Sequence, residues 1–147
     1  MSIVRQAGTR TRRVYIDTSA YLCVLLGEEG AEELARQTHD AELLSSVLLV
    51  LEAKRNLVRL AREGAIKPDQ YKVFLDRVDG DLRGIVLRDL TLDLCSSNLM
   101  PAIATPRSLD LVHLRTALWF HANEPLDRFV TADAAQQHAA EELGLPV

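Results

Sequence analysis

The chain has 147 residues, 48% of them hydrophobic and 5% aromatic. That is enough apolar material for one domain with an aliphatic core, and too much for a disordered chain. The net charge of −4 counts mildly against binding nucleic acid through overall charge, and no apolar run approaches the length of a bilayer.

In chain order, residues 1–12 read as a flexible basic lead carrying Arg5, Arg10 and Arg12, ahead of a single domain over 13–147. No apolar stretch follows the basic start, so a signal peptide is not expected. Val14, Tyr15 and Ile16 favour a buried strand, and Asp17, Thr18 and Ser19 end it and open a helix over 18–26. A second helix is expected over 28–38, and a short strand over 42–45. Ser46 is placed to cap a helix over 47–63, with Gly64 just past its end. Pro68 opens a further helix to about Val78, with Tyr71, Phe74, Leu75 and Val78 at helical spacing. A third strand is expected over 84–87 and a helix over 91–100, followed by a loop between Pro101 and Pro106. Ser108 is placed to cap a helix to about Asn123. A fourth strand over 128–131 stops short of Asp133, a helix follows over 134–143, and 145–147 fit a last edge strand. Short strands alternating with helices specify a parallel sheet covered on both faces. Cys23 and Cys95 both lie among apolar residues and outside any metal-ligand pair, so both read as buried thiols in a reducing cytoplasm.

Four acids stand where such a sheet gathers its ligands. Asp17 and Asp133 each follow a strand, Asp110 lies in the first turn of its helix, and Glu52 lies in the second turn of a helix whose start is almost wholly apolar. Strand carboxyl ends and helix first turns share one edge of a parallel α/β sheet, so acids distant in sequence can converge there. Each also has a plainer reading. Asp17, Asp110 and Asp133 suit helix starts, and Glu52 can face solvent or pair with Arg55 or Arg59. Converging carboxylates repel, and a hard cation such as Mg²⁺ or Mn²⁺ relieves the repulsion. Zinc would want Cys or His. His113, one turn after Asp110, reads either as a contact to the acids or as a satisfied structural histidine. His39, His121 and His138 lie in polar surroundings. Lys54, Arg55, Arg59, Arg62, Arg107 and Arg115 either frame the acids as phosphate contacts or line ordinary solvated helix faces.

Four stretches in this order resemble the PIN-domain family, and within it the VapC-type toxin ribonucleases of type II toxin–antitoxin modules. They are Tyr15-Ile16-Asp17-Thr18-Ser19-Ala20, then residues 45–52, then Leu109-Asp110-Leu111-Val112-His113-Leu114-Arg115-Thr116-Ala117, then Phe129-Val130-Thr131-Ala132-Asp133. The ending, residues 142–147, is also similar. The resemblance implies a three-layer α/β/α fold with a central parallel sheet of about five short strands. It implies RNA cleavage dependent on Mg²⁺ or Mn²⁺, with Asp17, Glu52, Asp110 and Asp133 as the catalytic and metal-holding acids. Thr18 and Thr131 would be hydroxyls that orient carboxylates or water. It further implies a homodimer and a cognate antitoxin that blocks the site. Arg115, where a small apolar residue is usual, and Ala134 and Ala135 after the last acid depart from the family pattern.

Two other classes fit parts of the chain. An aspartyl-phosphate signalling domain or phosphatase would use Asp17, with Asp89 as a second acid, but Ser19 stands where a dehalogenase-type phosphatase wants an acid. A catalytically inactive PIN-like binding protein would use the fold for association alone.

Overall fold

The computed structural model describes residues 10–98, 100–104 and 107–147. Most of the expected lead segment, and Leu99, Thr105 and Pro106 of the expected helix end and loop, lie outside the described residues. The chain runs β1 (Arg13–Ile16), α1 (Thr18–Leu26), α2 (Ala31–Thr38), β2 (Glu42–Ser46), α3 (Leu48–Arg62), α4 (Pro68–Leu82), β3 (Ile85–Arg88), α5 (Leu92–Ser96), α6 (Ser108–Asn123), β4 (Arg128–Val130) and α7 (Ala134–Glu142). The strands form one all-parallel sheet in the order β3-β2-β1-β4, with Tyr15 of β1 in register between Leu44 and Phe129.

Alternation along β1 separates two cores. Val14 and Ile16 pack with Ala20, Leu34, Leu49, Leu57 and Val78 from α1 to α4. Tyr15 packs with Leu44, Leu114, Phe120, Phe129 and Ala139, which brings α6 and α7 to the other face. A strand buried on both faces reads as an unbroken apolar run, and all four residues of β1 are buried. The arrangement is consistent with three layers, helices on either side of a sheet. The order also reverses at β1: the chain steps outward to β2 and β3, then returns to place β4 on the other flank of β1. The carboxyl ends of β1 and β4 thus enclose the crevice where ligands gather in open α/β sheets.

Several boundaries differ from the sequence reading. The sheet has four strands among the described residues, not about five. Among the described residues, 145–147 give the sheet one bond, Phe129 N–H to Pro146 O at 2.6 Å, and Pro146 has no N–H with which to answer it. Helix α2 starts at Ala31, because Gly30 takes a left-handed φ of 88° just before it. Helix α4 extends to Leu82. Helix α5 stops at Ser96, and Cys95 on this short helix is exposed, whereas Cys23 is buried as expected. Ser108 is already the first helical residue, past the position from which it can cap. Ser46 does accept a bond from Leu48 N–H at 3.1 Å. The described end of the lead is anchored, by Arg10 to Asp127 at 3.1 Å and by Arg12 to the carbonyl of His39 at 3.0 Å.

The apolar start of α3 separates packing from mere hydrophobicity. Leu49 is fully buried and Leu51 is 68% exposed, two positions apart. Leu49→Ala should cost about 2–5 kcal/mol in urea unfolding, and Leu51→Ala no more than about 0.5 kcal/mol. Equal losses would contradict the packing described.

Candidate active site

Asp17 ends β1 and caps α1, and its carboxylate is 4% exposed. Oδ1 accepts from Ser19 Oγ at 2.7 Å and from Ala20 N–H at 3.0 Å. Oδ2 accepts from Thr131 Oγ1 at 2.5 Å. The two hydroxyls are themselves held by the turn after β4: Ala132 N–H donates to Ser19 Oγ at 3.0 Å and Asp133 N–H to Thr131 Oγ1 at 3.1 Å. One carboxylate therefore joins the ends of β1 and β4. Burial pushes the Asp17 carboxyl up, and the bonds from Thr131, Ala20 and Ser19 oppose this without cancelling it.

Asp133 caps α7 through Ala135 N–H at 2.8 Å and Gln136 N–H at 3.3 Å. Gln136 ties this turn to the next helix by donating from Nε2 to the Asp110 carbonyl at 3.0 Å. The Asp110 carboxyl is also raised, first by burial and then by the charge of Asp133; Arg107 opposes this, and Asp17 adds to it. Three aspartates from three elements thus act on one field, and the capping reading of Asp17 and Asp133 is true alongside it.

Glu52 meets a different environment. It is half-buried on α3, and its Oε1 accepts from Thr18 Oγ1 at 2.7 Å and lies 2.9 Å from His113 Nε2. Burial pushes the carboxyl up, but the bonds from His113 and Thr18, ahead of the charges around it, carry it below the ordinary glutamate value. Neither Arg55 nor Arg59 is its hydrogen-bond partner: Arg59 pairs with Glu63 at 3.2 Å. His113 is 3% exposed and also meets Tyr15 OH through Nδ1 at 2.8 Å. It is both a satisfied histidine and a contact to an acid. Glu52 joins the aspartates through the chain itself, since Thr18 directly follows Asp17.

The basic frame is smaller than the sequence suggests. Lys54 pairs with Asp79 at 2.8 Å, and Arg115 turns to the carbonyls of Leu94 and Ser97, where it fastens α5 to α6. Arg55 and Arg107 remain the cations that act on the acids. A cavity of about 400 Å³ lies elsewhere, between α5 and α6, lined by Leu94, Met100, Leu118 and Trp119. Its lining carries none of the four acids.

Residues that sequence reasoning missed are Ser19, Tyr15 and Gln136. The spacing of Ser19, two after an acid that ends a strand, fits a side chain folding back onto that acid. Gln136, three after the cap Asp133, has the spacing of a capping-box partner but bonds α6 instead. Nothing in the sequence marks the Tyr15 hydroxyl, because tyrosine is equally at home as an apolar strand residue.

Among the described residues no group of three or more His, Cys, Asp or Glu side chains is drawn together closely enough to hold an ion. The donor chemistry nonetheless suits a hard divalent cation. Two carboxyls are raised in a shared field, and Asp17 has three of about four acceptor positions filled. The buried Oε1 of Gln136 has no hydrogen-bond partner among the described residues, which leaves a further oxygen acceptor in the first turn of α7. No family model matches the chain, and no curated protein matches it.

The opposite shifts give opposite pH dependences in metal-free protein. For Asp17 and Asp110 the folded value lies above the unfolded one, so the folded chain holds more protons in between, and stability falls as pH rises through that window. For Glu52 the folded value lies below, so its contribution is present above the ordinary glutamate value and is lost as pH falls through the folded one. Melting curves with chelator should therefore show wild type gaining stability relative to Asp17→Asn as pH falls from 7 towards 4. Glu52→Gln should be less stable at pH 7. A difference between wild type and Asp17→Asn that does not move with pH contradicts the assignment.

Proposed function

We propose that the chain is a metal-dependent endoribonuclease that hydrolyses RNA phosphodiester bonds with water. The observation that carries this reading is the bond network at the crevice between β1 and β4, which ties Asp17 through Thr131 to the Asp133 turn and, through Gln136, to Asp110. The four motifs that resemble the PIN-domain family support it, since Asp17 and Asp133, from two of them, act on the Asp110 carboxyl of a third.

Asp17, Asp110 and Asp133 would hold Mg²⁺ or Mn²⁺, with Glu52 ligating directly or through water. The bound ion supplies charge beside the phosphodiester and lowers the pKa of water. Ser19 and Thr131 keep the Asp17 oxygens fixed. Arg55 and Arg107, both exposed, are the phosphate contacts on either side. The partners follow from the resemblance: RNA as substrate, a cognate antitoxin covering the site, and a second copy in a homodimer, all in the cytoplasm. The aspartyl-phosphate reading gains nothing from the geometry, because Ser19, at the second-acid position, gives its proton to Asp17.

Cleavage of mixed RNA with Mg²⁺ or Mn²⁺, stopped by chelator, is the expected activity. Asp17→Asn and Asp110→Asn should each lower the rate at least about a hundredfold while remaining folded. Variants that cleave like wild type would overturn the proposal. Absence of any Mn²⁺ heat in calorimetry would favour an inactive binding protein.

A further inference from the structure

His113 touches three other elements from inside the fold. It belongs to α6, its Nδ1 faces Tyr15 of β1 at 2.8 Å, and its Nε2 faces Glu52 of α3 at 2.9 Å and Thr18 of α1 at 3.0 Å. Proton counting assigns each bond. A carboxylate only accepts. Thr18 has one hydroxyl proton, and it points to Glu52 Oε1 at 2.7 Å. Thr18 Oγ1 therefore faces the ring as an acceptor, and so does Glu52. Nε2 must carry a hydrogen. Tyr15 is fully buried, and a phenolic hydroxyl carries its own proton at neutral pH. In a neutral ring Nδ1 is then the acceptor, and the Tyr15 proton is the one that reaches it.

We propose that Tyr15 and His113 are positioning residues for Glu52: the Tyr15 hydroxyl donates to Nδ1, which leaves Nε2–H to pin Oε1. Thr18 fills the rest of Oε1, and among the described residues no hydrogen bond is made to Oε2, which is left for a cation or its water. The ring thus acts on the acid site through Glu52, as carboxylate and histidine partners do around metal centres. This rests on reading Glu52 as part of a cation site. Packing alone does not account for the arrangement, because an apolar side chain in α6 would leave Glu52 Oε1, among the described residues, with Thr18 as its one donor.

The test combines a spectroscopic readout with cation binding by the whole chain. Nitrogen NMR of the metal-free wild type should show His113 as the Nε2–H tautomer, and Tyr15→Phe should disturb it. Mn²⁺ calorimetry should show binding weakened about tenfold or more in His113→Ala. His113→Gln, whose amide reaches the Nε2 position as a donor, should restore most of the loss. In a Glu52→Gln background, His113→Ala should add little further loss. Tyr15→Phe removes one oxygen and is the mild variant if His113→Ala does not fold; it should weaken Mn²⁺ measurably. An Nδ1–H tautomer in the wild type, wild-type Mn²⁺ affinity in a folded His113→Ala or Tyr15→Phe, or an undiminished His113→Ala effect without Glu52 would each overturn this role alone. A wild type that binds no Mn²⁺ overturns the cation-site reading and this role with it.

Discussion

A carboxylate taken out of water must be surrounded by donors, and the arrangement around Asp17 follows from that requirement. Ser19 and Thr131 direct their hydroxyl protons to it, and backbone amides of Ala132 and Asp133 fill the hydroxyls in turn. The geometry of the β4–α7 turn is therefore set from the end of β1. Because Asp133 lies in that turn, the position of one acid depends on the solvation of another. The same turn reaches α6 through Gln136, and so the main-chain position of Asp110 belongs to the same connected set.

The electrostatics divide into two regimes. Asp17 and Asp110 are destabilised as anions by burial and by neighbouring acids, whereas Glu52 is stabilised as an anion by His113 and Thr18 despite burial. A fold selected only for stability has no reason to keep acids in the first condition. Strain of this kind is the usual cost of a functional site. A cation would relieve the raised pair, whereas Glu52 is already satisfied at one oxygen.

Much of the framework was legible because it rests on local rules. The run Val14 to Asp17 is apolar on both faces and ends in a cap, which identifies a central strand and its carboxyl end in one stretch. The sequence reading puts the four acids at one edge because strand ends and helix starts share it in any parallel sheet. What escaped depends on contacts between distant segments. The left-handed Gly30 shortens α2, the exposure of Cys95 depends on how α5 lies, and the missing fifth strand depends on a single proline. Arg115 and Lys54 looked like phosphate contacts until α5 and Asp79 were found beside them. The joint role of Tyr15 and His113 needed two residues 98 positions apart to meet.

The central claim is that the carboxylates at the β1–β4 crevice form one cation site. Anomalous diffraction from crystals grown with Mn²⁺ tests it most directly. The account predicts a peak within about 2 Å of oxygens from Asp17 and Asp110, with Asp133 or Glu52 completing the set directly or through water. Strong anomalous density elsewhere on the chain, with the Asp17 crevice holding none at saturating Mn²⁺, would contradict it.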